Sequence, residues 1–285
     1  MAKLVYIVSD RRAGSTLLQN LLDQIPGMVS VGELRMLQGH LKQEGPGESW
    51  AWQCSCRQDL ISCPVWSKIH DLVDLKNRRT RLDHSLFESH RVNESLQRYA
   101  LEGQMVAEDS LKILDAVRKI TKAQTVVDSS KDPMQAYYLH AQRPESVRLI
   151  FLERSIDELA YSKIKHREGR VPGPLRMWAY LNRVGRQNRS IREVVDRVEA
   201  DHVHRLTYKA LAIDPRDELR KILEFLSFDP IPEQLPDSLE PQNDHSIGGT
   251  PSRFQSSPVR YDDKSAAYFR KYPPLSYLTK KWQTA

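Results

Sequence analysis

A short apolar run, Leu4–Val8, leads into the loop Ser9-Asp10-Arg11-Arg12-Ala13-Gly14-Ser15-Thr16, and apolar residues recur after it at Leu17, Leu18, Leu21 and Leu22. The run predicts a strand and the later spacing predicts a helix, so the loop between them is a tight strand-to-helix turn. Such a turn gathers several backbone N–H groups about one point. Unpaired amides and the helix dipole both favour negative charge there, so the turn is suited to phosphate or sulfate.

The ATP-binding loop pattern G-x-x-x-x-G-K-[ST] gives a comparison. Aligned on Gly14, the chain has Ser9 for the first glycine and Ser15 for the lysine, with Arg12 inside the loop. The lysine that reaches the terminal phosphates of ATP is missing. The loop is an anion cradle for a different ligand.

The chain has 285 residues and a formal net charge of +6, which suits an anionic ligand or partner. Between Lys163 and Arg192 nine Lys or Arg residues stand against one acid, Glu168. This stretch is compatible with a solvated helix face or with the rim of a site for an anionic acceptor. No aromatic-interleaved basic motif or zinc-finger pattern points to nucleic acid. The start, Met1-Ala2-Lys3, carries no secretory apolar region, and no apolar run approaches the roughly 20 residues that span a bilayer. A cytoplasmic protein without stable membrane insertion is expected; the oligomeric state is not legible.

Four β-rich runs, Leu4–Val8, Thr125–Asp128, Val147–Leu152 and Val203–Leu206, each precede turn residues and a helical pattern. They predict an α/β fold, a P-loop-like parallel sheet flanked by helices. Ser155-Ile156-Asp157-Glu158 reads as a capping box. Asp214-Pro215 reads as an N-cap with proline at the first position, opening a helix through Phe225. Residues 1–285 are expected to form one domain. A helical and loop insertion at about 39–122 would cover the substrate side, and a tail at about 230–285 would wrap the surface. Three cysteines cluster in the insertion as Cys54, Cys56 and Cys63. They suit packed thiols or one disulfide; a four-ligand metal site would need help, with His70 the nearest candidate.

Four separate segments carry the chemistry. They are Arg12 with the amides of Ala13, Gly14, Ser15, Thr16 and Leu17; Gly32-Glu33 after the first helix; Lys131-Asp132-Pro133 at a strand end; and Arg154 with Ser162 across a strand-to-helix junction. In a parallel sheet the carboxyl ends of strands share one edge, so Arg12, Lys131 and Arg154 can meet in one crevice. From residue type alone, Glu33 also fits a surface acid, Lys131 a local pair with Asp132, and Arg154 a pair with any acid. Asp128 reads as structural, and Ser129 and Ser130 fit turn-formers as well as ligands.

The set R-x-G-S-T-L-L, G-E, K-D-P and R-x7-S resembles the sulfotransferase family, which uses 3′-phosphoadenosine-5′-phosphosulfate (PAPS). Within it the G-E and K-D-P pair looks most like tyrosylprotein sulfotransferases and related bacterial enzymes, and the Cys-x-Cys…Cys-Pro-x-Trp insert, Leu206-Thr207-Tyr208 and the stretch His245–Arg253 look like that bacterial group. The similarity runs in order from residue 3 to about 255. Ala13 departs from it, standing where the family often has serine.

The resemblance implies roles. The loop from Arg12 through Ala13, Gly14, Ser15 and Thr16 to Leu17 would hold the 5′-phosphosulfate. Arg154 and Ser162 would hold the 3′-phosphate, with Tyr208 and Arg253 adding nucleotide contacts. Glu33 would be the general base toward an acceptor hydroxyl on a saccharide, tyrosine peptide, lipid or small metabolite. Arg12 and Lys131 would stabilise charge on the leaving phosphate, with no metal required. Glu153 would have to point away from the phosphate site. Other readings are a non-catalytic nucleotide-binding module and, disfavoured by Ser15, a P-loop-type kinase.

Overall fold

Five parallel strands, β1 (Leu4–Ser9), β2 (Met28–Gly32), β3 (Thr125–Lys131), β4 (Val147–Glu153) and β5 (Val203–Thr207), form one sheet in the order β2-β3-β1-β4-β5. The computed structural model describes residues 3–42, 52–83, 92–240 and 245–283. β1 sits at the sheet centre and every residue in it is buried, as a parallel strand covered on both faces requires. Four strands match the β-rich runs read from the sequence. β2 is additional: a five-residue run that follows the turn residues Pro26-Gly27 and ends in Gly32.

Helices cover both faces. In chain order they are α1 (Ser15–Asp23), α2 (Leu37–Lys42), α3 (Trp66–Val73), α4 (Val92–Arg98), α5 (Ala100–Thr121) and α6 (Pro133–Gln142). After these come α7 (Ile156–Glu168), α8 (Pro174–Val195), α9 (Tyr208–Ile213), α10 (Pro215–Phe225), α11 (Lys264–Lys271) and α12 (Pro273–Gln283). Side chains alternate across a strand, so Leu4, Tyr6 and Val8 enter one core with Ile69, Leu111 and Met134. Val5 and Ile7 enter the other with Leu18, Leu159 and Ile222. α8 joins the two layers: Met177 and Leu181 pack on the second face, Ile191 and Val195 on the first.

Local signals explain several boundaries. Asp214 accepts from the Asp217 amide and Pro215 opens α10, as its sequence predicts. Asp132 does the same for α6, accepting from the amides of Met134 and Gln135. The tail does more than wrap. It pairs β6 (Ser238–Leu239) with β7 (Ser257–Pro258), lays Ile247 beside Gly32 of β2, and ends in α11 and α12 packed on α7.

Candidate functional site

The carboxyl ends of β1, β2, β3 and β4 open on one cleft of about 1220 Å³. At the end of β1, Arg12 has φ 73° and Gly14 φ 106°, both in the left-handed region. These two reversals turn the chain so that α1 starts at Ser15, with the Leu18 amide bonding the Gly14 carbonyl at 3.1 Å. The amides of Ser15, Thr16 and Leu17 therefore belong to a first turn that has no intrahelical carbonyls to meet. A Cβ on Gly14 would lie 2.6 Å from Tyr208 Cδ2, so glycine permits both the turn and the ring packed against it.

Asp10 anchors this loop, a role its sequence position did not announce. Its buried carboxylate accepts from Lys163 Nζ at 2.6 Å, the Arg11 amide at 2.6 Å, Asn188 Nδ2 at 2.9 Å and Gln187 Nε2 at 3.0 Å. Burial raises the Asp10 pKa despite the Lys163 charge, and burial lowers that of Lys163. Removing either partner would strand the other charge, at a cost of about 3–5 kcal/mol.

Arg12 and Arg154 meet at the loop. Arg154 Nη1 donates to the Arg12 carbonyl at 3.0 Å, and Arg12 Nε donates to Ser162 Oγ at 3.4 Å. The Arg154 guanidinium stacks 4.0 Å from the centre of the Tyr208 ring. Burial and then the Arg154 charge both lower the Arg12 pKa. Two like charges held this way are relieved by a bound anion.

The capping box expected at Ser155 does not form. α7 does begin at Ile156, but the Ser155 side chain makes no cap hydrogen bond. Glu158 is buried and turned instead to Arg154 Nε at 3.2 Å, and it accepts from the Tyr261 hydroxyl at 2.6 Å. Orienting an arginine outweighs reaching back to the Ser155 amide. Glu153 points away from the cleft, accepting from Arg192 Nε at 2.7 Å.

Lys131 Nζ lies 2.5 Å from Glu33 Oε1, so the two strand ends pair with each other and Lys131 does not pair with Asp132. Lys131 holds φ 71°, a left-handed turn at the end of β3. The Gly249 amide also donates to Glu33 Oε1, at 3.1 Å. Burial pushes the Glu33 pKa up, but Lys131, Arg35 and that amide together bring it below the ordinary glutamate value.

Behind them Asp128 is fully buried. It accepts from the Ser130 amide at 2.8 Å and the Ser130 hydroxyl at 2.5 Å, and burial pushes its carboxyl up to about 7. Ser130 Oγ in turn accepts from the Arg35 amide at 3.0 Å, and the Ser129 hydroxyl donates to Gln19 at 2.5 Å. Both serines thus brace the strand end.

Of the loop residues singled out in the sequence, Gly14, Ser15, Thr16 and Leu17 line the cleft. Ala13, expected to offer its amide there, does not: its side chain is turned into the apolar core and its amide donates to the Asp10 carbonyl at 3.2 Å, closing the turn. The side chain of Arg253 lies outside the described residues. Arg183, His166 and Gln187, from the basic stretch on α7 and α8, reach the cleft beside Lys163. Other members of that stretch do not: Arg192 pairs with Glu153, and Arg176 with Glu168.

The three cysteines are free thiols, so no disulfide joins them. The histidine beside them is His245 of the tail, not His70, which its position in the sequence had favoured.

A family model described as the sulfotransferase family matches residues 5–232. No curated protein matches the chain. Among solved structures, the sulfotransferase domain from the curacin biosynthetic pathway superposes with a TM-score of 0.57 at 18% identity, covering 100% of this chain and 97% of that one. The sulfotransferase domain of the Synechococcus PCC 7002 olefin synthase gives 0.57 at 20% identity, covering 99% and 96%. At these identities the two structures establish a shared fold.

Proposed function

The chain belongs to the sulfotransferase family, and from that premise we propose that it transfers a sulfuryl group from PAPS to the hydroxyl of an acceptor. The observation that carries this reading is the convergence of Arg12, Glu33, Lys131 and Arg154, from four strand ends, on one cleft. Arg12 and Arg154 gather at the loop while Lys131 stands at the end of β3, so the cleft offers cations in two places to a donor with two anionic groups. The mutual repulsion of Arg12 and Arg154 supports a dianionic ligand at the loop.

In this reading the amides of Gly14 to Leu17 and the hydroxyls of Ser15 and Thr16 hold the 5′-phosphosulfate, while the Ala13 amide serves the loop itself by bonding the Asp10 carbonyl. Arg154 and Ser162 hold the 3′-phosphate, and an arginine carries five N–H donors, more than the Glu158 and Arg12 contacts use. Tyr208, stacked on Arg154, braces the nucleotide side; Arg253 is assigned there from the sequence motif alone.

The bound donor supplies a sulfuryl group whose bond to the 5′-phosphate breaks as the acceptor oxygen attacks from the opposite side. Glu33 takes the acceptor's proton; Lys131 keeps it ionised, although the same pairing lowers its basicity. Lys131 and Arg12 stabilise the charge that grows on the departing phosphate. The Arg183 and Arg260 side chains on the cleft wall suit an acceptor that is itself anionic, such as an acidic saccharide or peptide, while Arg35 and Arg81 face Asp132 and Asp83 there.

The test is transfer of radiolabelled sulfate from PAPS to a panel of acidic and neutral hydroxyl compounds. Label on an acceptor, lost in Arg12→Ala and Glu33→Gln, is the expected result. Tight binding of the 3′,5′-bisphosphate nucleotide without transfer to any acceptor would favour a nucleotide-binding module. Magnesium-dependent ATP turnover would favour a kinase.

A further inference from the structure

Cys54, Cys56, Cys63 and His245 bring four ligand atoms within 4.8 Å of one another. Cys54 and Cys63 are completely buried. Their sulfurs lie 3.7 Å apart, and His245 Nδ1 is 3.1 Å from Cys63 Sγ and 4.0 Å from Cys54 Sγ. A tetrahedral ion with metal–sulfur bonds of about 2.3 Å spaces neighbouring donors roughly 3.8 Å apart. The observed separations bracket that value. A disulfide would require sulfurs about 2.05 Å apart and would leave the third thiol and the imidazole aimed at the same point without cause.

The three thiols come from one short stretch and the imidazole from the tail, and Cys56 is the partly exposed member of the set. We propose that these four residues bind one zinc ion as a closed structural site. Three sulfurs and one imidazole are a soft, four-coordinate donor set, which selects zinc over magnesium or calcium.

The site would crosslink the insertion to the tail, since His245 follows Cys63 by 182 positions. The surroundings are already knitted. Trp66 Nε1 donates to the His245 carbonyl at 2.6 Å, and the amides of Ser55 and Ser246 are exchanged at 2.9 and 2.8 Å with Ser246 O and Ser55 Oγ. Four residues beyond His245, the Gly249 amide meets Glu33. Zinc would therefore hold the tail segment that supports this carboxylate, whatever chemistry the cleft performs.

The experiment is metal analysis of the full chain, purified without chelator, by plasma mass spectrometry. One zinc per chain is expected. Cobalt(II) exchanged into the site should show an intense thiolate-to-metal band with tetrahedral d–d absorption. Cys56→Ser, which alters a partly exposed position, and His245→Ala should each lower zinc to background, and His245→Cys should retain it. Protein that is zinc-free and gives no such cobalt spectrum overturns the proposal. So does a native mass two hydrogens short, which reports a disulfide. Undiminished zinc in His245→Ala removes His245 from the site. Binding of the bisphosphate nucleotide, measured on the same samples, separates failure of this site from failure of the transferase reading.

Discussion

Arg154 Nη1 donates to the backbone carbonyl of Arg12 at 3.0 Å, joining the loop after β1 to the end of β4. The bond holds the Arg154 guanidinium against the backbone of a residue 142 positions away, and the Arg12 side chain is turned to Ser162 of the helix that follows β4. Glu158 and Tyr208 lock Arg154 from two further directions, through an ion pair and a stacked ring. An arginine restrained in this way is organised for an anion before any anion arrives.

Arg154→Ala should weaken binding of adenosine 3′,5′-bisphosphate by about 10- to 100-fold, the loss of charged hydrogen bonds. Affinity for adenosine 5′-monophosphate should fall less, since only the bond to the Arg12 carbonyl is lost there. Titration calorimetry with both nucleotides checks this, and an equal loss for the two would remove Arg154 from the 3′-phosphate.

Glu33→Gln should lower turnover about 10²-fold or more, as expected for loss of a general base. The acidic limb of the wild-type rate profile should lie below the ordinary glutamate range, because Glu33 is held low despite its burial. Lys131→Ala should move that limb to higher pH as well as slowing transfer. A limb that stays in place in Lys131→Ala would show that Glu33 does not set it. The same pair affects stability: a depressed carboxylate stabilises the fold above its unfolded pKa, and that contribution is lost as pH falls through the lowered folded value.

Asp128 has the opposite sign. Burial pushes its carboxyl up to about 7, so the native state keeps a proton that the unfolded chain gives up near pH 4. The wild type should therefore lose stability relative to Asp128→Asn as pH rises from about 4 to 7, by up to about 1.4 kcal/mol per pH unit, and the difference should level off above 7. Urea unfolding of both proteins across that range is the measurement. A difference that does not vary with pH would show that Asp128 is ionised in the native state throughout.

Gly32→Ala should uncouple the tail from the sheet. The position has φ 75°, and a Cβ there would lie 2.0 Å from the Ile247 carbonyl oxygen, which is backbone and cannot swing aside. A stability loss of about 1–3 kcal/mol is expected. Faster amide exchange at 245–250 and reduced turnover should accompany it, since the Gly249 amide would leave Glu33. Unchanged exchange in that segment would show that the tail is held elsewhere.

The strand runs, the small-residue turn after β1 and the Asp214-Pro215 helix start were legible in the residues themselves. Each depends on neighbours within a few positions, where propensity and capping act. The ordered motifs also named the four segments that meet in the cleft. Partners across the chain were not legible. Glu158 turns to Arg154 and Tyr261 and makes no cap; Lys131 chooses Glu33 over the adjacent Asp132; and His245, not His70, joins the cysteines. Local order cannot reveal these choices, because a buried charge or thiol is satisfied by whatever group the fold brings to it. Which group arrives depends on the sheet order and on the returning tail, and those are settled only when the whole chain packs.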